Sequence, residues 1–277
     1  MVTGAIYSNR TFKLIKMTQV TSKDGTLIAY EKTGSGLPLI LVDGALCSRD
    51  FGPMPKLAQF LAGSFTVFTY DRRGRNESGD TKPYAAEREV EDIEALINVA
   101  GGAAYVYGVS SGAALALAAA ANGLNITKLA LYEPPFDVSD EGHHAPADSL
   151  PQLKALITQD RRGDAVKYFM KDIIGIPPLV VFMMTLFPIW KKLKAVAHTL
   201  PYDITILDGF GLPVERAKSV RVRTLVSGGD KSQVLLQHAV KKLAEVIPNC
   251  ELRMLKGQTH NVSEKAIGPV LVEFFNK

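Results

Sequence analysis

Apolar and polar residues along the chain follow the two spacings that distinguish strands from helices. Five segments of strand length are largely apolar: residues 37–42, 65–70, 126–132, 223–227 and 251–255. Short apolar runs of this kind are typical of strands buried on both faces of a parallel sheet. Three segments predict helices: residues 87–100, 235–247 and 267–275. Strands that alternate with helices in this way predict an α/β fold with helices on both faces of the sheet.

Two departures from the alternation predict the domain organisation. Residues 20–30 predict a β-hairpin, because Asp24-Gly25 separates two alternating segments and favours a tight turn. Residues 136–213 lose the alternation and consist of a polar loop followed by mostly helical patterns. We therefore predict a core formed by residues 17–135 and 214–277, with a helical insertion at residues 136–213. Residues 1–16 are expected to be an N-terminal extension outside the fold.

A serine lies between a predicted strand and a predicted helix. An apolar run at residues 103–107 leads into Gly108-Val109-Ser110-Ser111-Gly112, and an alanine-rich stretch follows at residues 113–120. A sharp turn from strand to helix strains the backbone of the serine and requires glycine on both sides, where a Cβ atom would collide. The context favours Ser110 as an exposed nucleophile over a Gly/Ser turn without chemistry.

Composition and charge narrow the class of protein. A chain of 277 residues that is 47% hydrophobic can bury one large core, so we expect a single domain with an insertion. Arg10, Lys13 and Lys16 supply three of the four net positive charges, and the remaining charge of +1 predicts no nucleic-acid partner. The segment at residues 173–190 is uncharged, but Pro177, Pro178 and Pro188 interrupt it, and we expect no stable membrane span.

The cysteines and the N-terminal segment favour a cytoplasmic protein. Cys47 and Cys250 are far apart and lack the spacing of a metal site, so they are expected to be free thiols in a reducing compartment. Residues 1–16 lack the apolar core of an export signal. We therefore predict a cytoplasmic location.

Four motifs in this order resemble the α/β-hydrolase family, over nearly the whole chain from Met17 onward. They are Asp43-Gly44, Tyr70-Asp71-Arg72-Arg73-Gly74-Arg75-Asn76-Glu77-Ser78, the turn around Ser110, and Gly257-Gln258-Thr259-His260. The resemblance implies a mostly parallel eight-stranded sheet with helices on both faces and a helical cap inserted after the sixth strand. It also implies that Ser110 is the nucleophile and His260 the general base, with no cofactor and no metal ion.

The acid that would orient His260 is open between two residues. The family usually places an aspartate after the seventh strand, where this chain has Ser232, and Asp230 lies two residues earlier. Glu133, at the end of the sixth predicted strand, occupies a second location from which some members of the family supply the acid. A hydrogen bond from His260 Nδ1 to either carboxylate would decide between them.

The oxyanion hole is expected to consist of the backbone N–H groups of Ala45 and Ser111. The family more often has histidine before the glycine at position 44, and Asp43 here places a carboxyl group near the hole. Arg72 and Arg73 are candidate partners of Asp43. The alternative, which we favour, is that Asp43 orders the turn through local hydrogen bonds.

The insertion contains a cluster of aromatic and methionine residues that predicts an apolar substrate pocket. Phe182, Met183, Phe187 and Trp190 are the candidate substrate-binding residues. The alternative is that these side chains only attach the cap to the sheet. Lys191, Lys192 and Lys194 follow the cluster, and we expect them to form a solvated helix face rather than a lipid or acidic-partner contact.

These observations predict a serine hydrolase that cleaves a small apolar ester or related acyl bond through a covalent acyl-enzyme. One alternative is a ligand-binding protein of the same fold with weak or no catalysis. Another is a cofactor-free peroxidase or a carbon–carbon hydrolase, because one fold supports several reactions. No oligomeric state is predicted from the sequence.

Overall fold

A parallel sheet forms the centre of the protein. The computed structural model describes residues 18–138 and 141–277, so the predicted extension at residues 1–16 lies outside the described residues. Within the described ranges, eight strands form one sheet in the order β1-β2-β4-β3-β5-β6-β7-β8. The strands are β1 (Thr18–Thr21), β2 (Leu27–Thr33), β3 (Leu37–Val42), β4 (Phe65–Tyr70), β5 (Ala104–Val109), β6 (Ile126–Tyr132), β7 (Arg223–Gly229) and β8 (Cys250–Leu255). Strands β3 to β8 are parallel, and β1 and β2 are antiparallel to their neighbours.

Helices follow most of the strands. Those of the core are α1 (Met54–Leu61), α2 (Ala86–Val99), α3 (Ser111–Ala121), α9 (Val214–Ser219), α10 (Val234–Val246) and α11 (Glu264–Asn276). Between β6 and β7 lie α4 (Ser149–Thr158), α5 (Arg162–Tyr168), α6 (Pro178–Thr185), α7 (Ile189–Val196) and α8 (Leu200–Leu207), with short π and 3₁₀ turns between them. In the part of the chain that the structure describes, no helix is long and apolar enough to cross a membrane.

Both faces of the sheet are buried by helices. Ile40 and Val42 of β3 point into the apolar layer under α2, α3 and α10. Leu39 and Leu41 of the same strand point into the opposite layer, under α1 and α11. Alternate residues of one strand therefore enter two cores, which explains why the central strands are continuous apolar runs.

The helices between β6 and β7 enclose a third apolar cluster. Buried residues of this cluster include Leu153, Val166, Phe169, Leu193 and Leu200. Helix α9 packs instead against α3 and α10 of the core. Helices α4 to α8 form the cap. The boundaries of the cap at residues 136 and 213 remain a proposal.

The sequence predicts most elements to within a few residues, and the hairpin around Asp24-Gly25 is confirmed by the pairing of β1 with β2. Helix α11 begins three residues earlier than predicted. Helix α1 is absent from the predictions. Its buried residues have helical spacing, but Pro53, Pro55 and Gly52 around its start are typical of a loop.

Candidate active site

The turn between β5 and α3 holds Ser110 in a strained conformation. Its φ and ψ are 56° and −129°, a region that non-glycine residues seldom adopt. A Cβ atom at Gly108 would lie 2.4 Å from the Gly112 carbonyl oxygen, and one at Gly112 would lie 2.3 Å from that of Val42. Both glycines are therefore required where the turn packs against β3. The side chain of Ser110 faces the main cavity of the protein.

His260 forms a hydrogen bond with a buried glutamate. Its Nδ1 lies 2.8 Å from Oε2 of Glu133, and a carboxylate can only accept, so Nδ1 carries the proton. Glu133 follows β6 with φ 45° and is fully buried. Its Oε1 accepts hydrogen bonds from the Gly229 N–H at 2.6 Å and from the Ser232 hydroxyl. In the neutral imidazole, Nε2 is therefore the nitrogen without a proton and can act as a base.

Asp230, the other candidate acid, does not contact His260 through a hydrogen bond but accepts one from the Gly257 N–H at 2.6 Å. Its side chain is exposed at the end of β7. The sequence analysis ranked Asp230 with Glu133, and the geometry pairs His260 with Glu133 alone. The reason is that the chain turns outward after Gly229, which directs the Asp230 carboxylate to solvent.

Two glycines at the end of β7 make room for the pairing. A Cβ atom at Gly228 would lie 3.2 Å from Cγ of Glu133, and one at Gly229 would lie 2.1 Å from the Gln258 carbonyl oxygen. The loop that carries His260 therefore packs directly on β7, and Tyr132 donates to the Thr259 carbonyl oxygen at 2.7 Å. The dipeptide Gly228-Gly229 is the sequence signal that could have favoured Glu133.

The loop after β3 lies beside the candidate nucleophile. A Cβ atom at Gly44 would be 3.1 Å from Cβ of Ser110, so the backbone of this loop approaches the serine closely. Ala45 and Ser111 line the same cavity as Ser110 and His260. The structure thus brings both residues to the site, and the role of their N–H groups as an oxyanion hole remains a prediction.

Two buried arginines hold the backbone around Ser110. Arg72 donates through Nη1 to the Asp43 carbonyl oxygen and to the Ser111 hydroxyl, both at 3.3 Å. Arg75 donates to the Gly44 carbonyl oxygen at 2.6 Å. Both guanidinium groups also donate to Asp203 of α8, at 2.7 Å from Arg72 and 2.9 Å from Arg75.

We call Arg72, Arg75 and Asp203 the cap clamp, because they join the cap to the loop beside Ser110. Each is about 1% exposed, and Arg72 is also paired with buried Glu89 of α2 at 2.7 Å. The sequence analysis missed Asp203 altogether. A single aspartate within an apolar helical segment is a visible signal, because a buried carboxylate needs a charged partner.

Asp43 is buried beside this clamp with an unsatisfied carboxyl group. Its side chain is 3% exposed, and Oδ1 has no hydrogen-bond partner among the described residues. Burial raises the pKa of Asp43 to about 8, against the opposing charges of Arg75 and Arg72. The predicted partner Arg73 binds Asp92 and Asp24 instead.

A cavity of about 870 Å³ lies between the cap and the C-terminal ends of the strands. Ser110 and His260 line it from the core. Its apolar lining includes Leu46, Phe51, Met54, Leu57, Phe169, Met170, Ile173, Ile176 and Leu193. This volume is in the range of pockets that enclose small organic molecules.

The four predicted substrate-binding residues lie outside the residues that line this cavity, and that assignment is corrected. Phe182, Met183 and Phe187 are 59%, 45% and 57% exposed on the outer side of the cap. Trp190 is half-buried against the cap's own apolar cluster. Helix α6 turns Val181 inward and Phe182 and Met183 outward, and the cavity wall comes from the preceding residues 169–176.

The histidine, cysteine and acidic side chains of the described residues are scattered with respect to metal binding. In residues 18–138 and 141–277, no group of three or more such side chains is placed to hold a metal ion. Cys47 and Cys250 are free, as predicted.

A family model described as the alpha/beta hydrolase family matches residues 34–268. The chain belongs to the α/β-hydrolase family. An alpha/beta hydrolase of known structure from Sphaerobacter thermophilus is 50% identical, with a TM-score of 0.88 over 93% of this chain and 100% of that chain. A thermophilic esterase from Thermogutta terrifontis is 19% identical, with a TM-score of 0.72 over 94% of this chain and 98% of its own, and shares the fold.

A curated relative carries a different activity in its name. The non-heme chloroperoxidase CPO-A1 of Kitasatospora aureofaciens is 23% identical over 93% of this chain and 98% of its own length. The proteins similar to this α/β hydrolase therefore include one named as an esterase and one named as a chloroperoxidase.

Proposed function

We propose that this α/β hydrolase is a serine hydrolase that cleaves a small apolar ester or related acyl bond through a covalent acyl-enzyme. The observation that carries the proposal is the Glu133–His260 hydrogen bond of 2.8 Å, with Ser110 and His260 facing one largely apolar cavity. A base held in one tautomer, in the same cavity as a strained serine, supports the proposal, because activation of a hydroxyl group requires a base that can accept its proton.

In the first half of the reaction, Oγ of Ser110 attacks the acyl carbonyl carbon and Nε2 of His260 takes its proton. Glu133 keeps the imidazole oriented and stabilises the positive charge that develops on it. The N–H groups of Ala45 and Ser111 are proposed to donate to the carbonyl oxygen as it becomes negative. His260 then returns the proton to the leaving alcohol as the ester bond breaks.

In the second half, water replaces the alcohol. His260 removes a proton from the water as its oxygen attacks the acyl carbon, and the same proton returns to Ser110 when the acid leaves. The apolar cavity wall favours an acyl or alkyl group without charge, because a charged group would lose its hydration there.

Substitution of the nucleophile tests the proposal. Ser110→Ala is expected to lower kcat for short p-nitrophenyl esters by about 10³-fold or more, because the nucleophile is absent. Ser64→Ala, on an exposed loop, is the matched control and should retain full activity. A fluorophosphonate probe should label Ser110 in the unmodified protein. Full activity of Ser110→Ala would refute Ser110 as the nucleophile. An unmodified protein that is not labelled but binds apolar ligands tightly would instead favour a ligand-binding protein.

The chloroperoxidase relative favours a second candidate reaction at the same site. Hydrogen peroxide would replace water in the second half-reaction, attack the acyl-enzyme, and release a peroxy acid while Ser110 regains its proton. Adding hydrogen peroxide to the ester assay and measuring peroxy acid formation distinguishes the two. Ser110→Ala should abolish both products.

A further inference from the structure

Helix α6 and the turn after it expose an unusual amount of apolar surface. Leu179, Val180, Phe182, Met183, Leu186 and Phe187 are between 45% and 72% exposed, and we call these six residues the cap apolar face. Val181 is the residue of α6 that the fold buries. A surface helix normally turns its apolar side chains toward the core, and a contiguous exposed patch of this kind marks a contact with another phase or molecule.

The charged residues that follow this face along the chain are lysines, one of which, Lys192, also interacts with Asp50 of the core. Lys191, Lys192 and Lys194 follow it on α7 and are exposed, while Leu193 and Val196 of that helix point into the cap. Residues 173–202 contain no aspartate and no glutamate. The cap apolar face and the lysines next to it are therefore complementary to a surface whose apolar layer is covered by a negatively charged layer.

The sequence favoured a solvated helix face for these lysines, but the exposed apolar side chains beside them change that interpretation. We propose that the cap apolar face and its three lysines bind a lipid surface that carries anionic headgroups. The aromatic and aliphatic side chains would enter the boundary between headgroups and acyl chains, and the lysines would contact lipid phosphates. A second copy of the chain fits this face less well. A second copy would bring three more lysines to the contact, and residues 173–202 supply no acid to pair with them.

The position of the face relates it to the cavity. Ile173, Ile174 and Ile176 line the cavity and lead directly into α6, and Leu193 of α7 also lines it. A chain bound through α6 would therefore hold its cavity wall beside the lipid, where apolar esters accumulate. This consequence rests on the proposed hydrolase function, whereas lipid binding itself does not.

Vesicle co-sedimentation of the full chain, without substrate, tests the proposal. We expect binding to phosphatidylcholine vesicles that contain about 30% phosphatidylglycerol, and much weaker binding to phosphatidylcholine alone. The double variant Phe182→Ser/Phe187→Ser and the triple variant Lys191→Gln/Lys192→Gln/Lys194→Gln should each weaken the binding by about tenfold or more. These side chains are exposed, so the fold is expected to survive, and circular dichroism checks this.

Two control variants match these changes elsewhere on the surface. Leu252→Ser removes an apolar side chain that is 43% exposed on β8, and Lys241→Gln/Lys242→Gln/Lys256→Gln removes the same charge. Both should bind vesicles like the unmodified chain. The proposal is overturned if the chain binds neither vesicle, if the phenylalanine variant binds unchanged, or if the controls weaken binding equally. If the chain does not bind vesicles but hydrolyses esters, the lipid-binding proposal fails and the proposed hydrolase function is unaffected.

Discussion

Glu133 is held by three donors from two segments, the end of β7 and the loop that carries His260. The Gly229 N–H, the Ser232 hydroxyl and His260 Nδ1 all converge on its carboxylate, which is fully buried. Hydrogen bonds of this kind are what allows a carboxylate to remain charged away from water. Ser232 stands where the family usually has an aspartate, and a hydroxyl there supports Glu133 where a second carboxylate would repel it.

Substitution of the buried acid separates the two candidates. Glu133→Gln is expected to lower kcat for short esters by about 10²- to 10⁴-fold, because an amide no longer stabilises the positive imidazole. KM should change little, since Glu133 does not line the cavity. Asp230→Asn is the control, because the amide oxygen can still accept from the Gly257 N–H. Equal losses in the two variants would contradict the assignment of Glu133.

Asp43 differs from Glu133 in having an unsatisfied oxygen. Burial raises its pKa to about 8, whereas an unfolded chain releases the same proton near the ordinary value of 3.8. Between these two values the folded protein holds a proton that the unfolded chain has lost. The free energy of unfolding therefore falls with rising pH through this window and levels off above about pH 8.

Asp43→Asn removes this titration. The stability of the variant relative to the unmodified protein should rise by up to about 1.4 kcal/mol per pH unit between about pH 4 and pH 8. Urea unfolding of both proteins at several pH values measures the difference. Asp50 has a lowered pKa because of its Ser48 and Asn76 hydrogen bonds, despite partial burial. The stability of Asp50→Asn relative to the unmodified protein should therefore fall with rising pH. If the free energies of unfolding of Asp43→Asn and of the unmodified protein depend on pH in the same way, the pKa of Asp43 is not raised by folding.

At the scale of elements, the cap clamp connects α8 with two loops of the core. Arg75 binds Asp203 on one side and the carbonyl oxygens of Gly44 and Cys47 on the other. The same aspartate accepts from the Ser111 hydroxyl at 2.7 Å. Movement of α8 would therefore be transmitted to the backbone on both sides of Ser110, which is why we regard Asp203 as a positioning residue.

Neutralising Asp203 leaves Arg75 buried without a charged partner. Asp203→Asn is expected to lower the free energy of unfolding by about 3–5 kcal/mol, the usual effect of breaking a buried ion pair from one side. Because the loop beside Ser110 loses its anchor, kcat should also fall in the folded fraction. Chemical unfolding measures the loss of stability. Turnover divided by the concentration of active sites, which burst titration gives, measures kcat of the folded fraction.

The matched control is Asp160→Asn, another cap aspartate that is paired with an arginine. Its side chain is 85% exposed, and it lies 3.0 Å from Arg162. Exposed pairs contribute at most about 1 kcal/mol, so both stability and kcat should be nearly unchanged. A similar loss of stability in the two variants would show that burial of the clamp has no special effect.

At the scale of the whole molecule, local patterns predicted the framework well. Strands β3, β4 and β6 have the predicted bounds, since an apolar run buried on two faces ends where the chain leaves the sheet. The turn at Ser110 was equally predictable, because a Cβ atom at Gly108 would collide with the backbone of Gly112, only four positions later. Features decided by neighbouring residues in the chain were therefore accessible from the sequence.

Contacts between distant segments were not accessible in this way. The choice of Glu133 over Asp230 depends on where the chain turns after β7, and Asp203 meets Arg72 across 131 positions. The outward orientation of Phe182 and Met183 depends on which side of α6 faces the cap, and α6 is apolar nearly all round. An apolar helix has no polar side to show which residues face solvent, so periodicity could not orient it.

The cap wall, rather than the cap apolar face, should set the preference for acyl chains. Met170 is 6% exposed and lines the cavity, whereas Phe182 is 59% exposed on the outside. Met170→Ala enlarges the pocket, so the ratio of kcat/KM for p-nitrophenyl hexanoate to that for the acetate should change by about tenfold. Phe182→Ala should leave this ratio unchanged. A ratio cancels any difference in the folded fraction, so an effect of Phe182→Ala equal to that of Met170→Ala would place the substrate on the outer face.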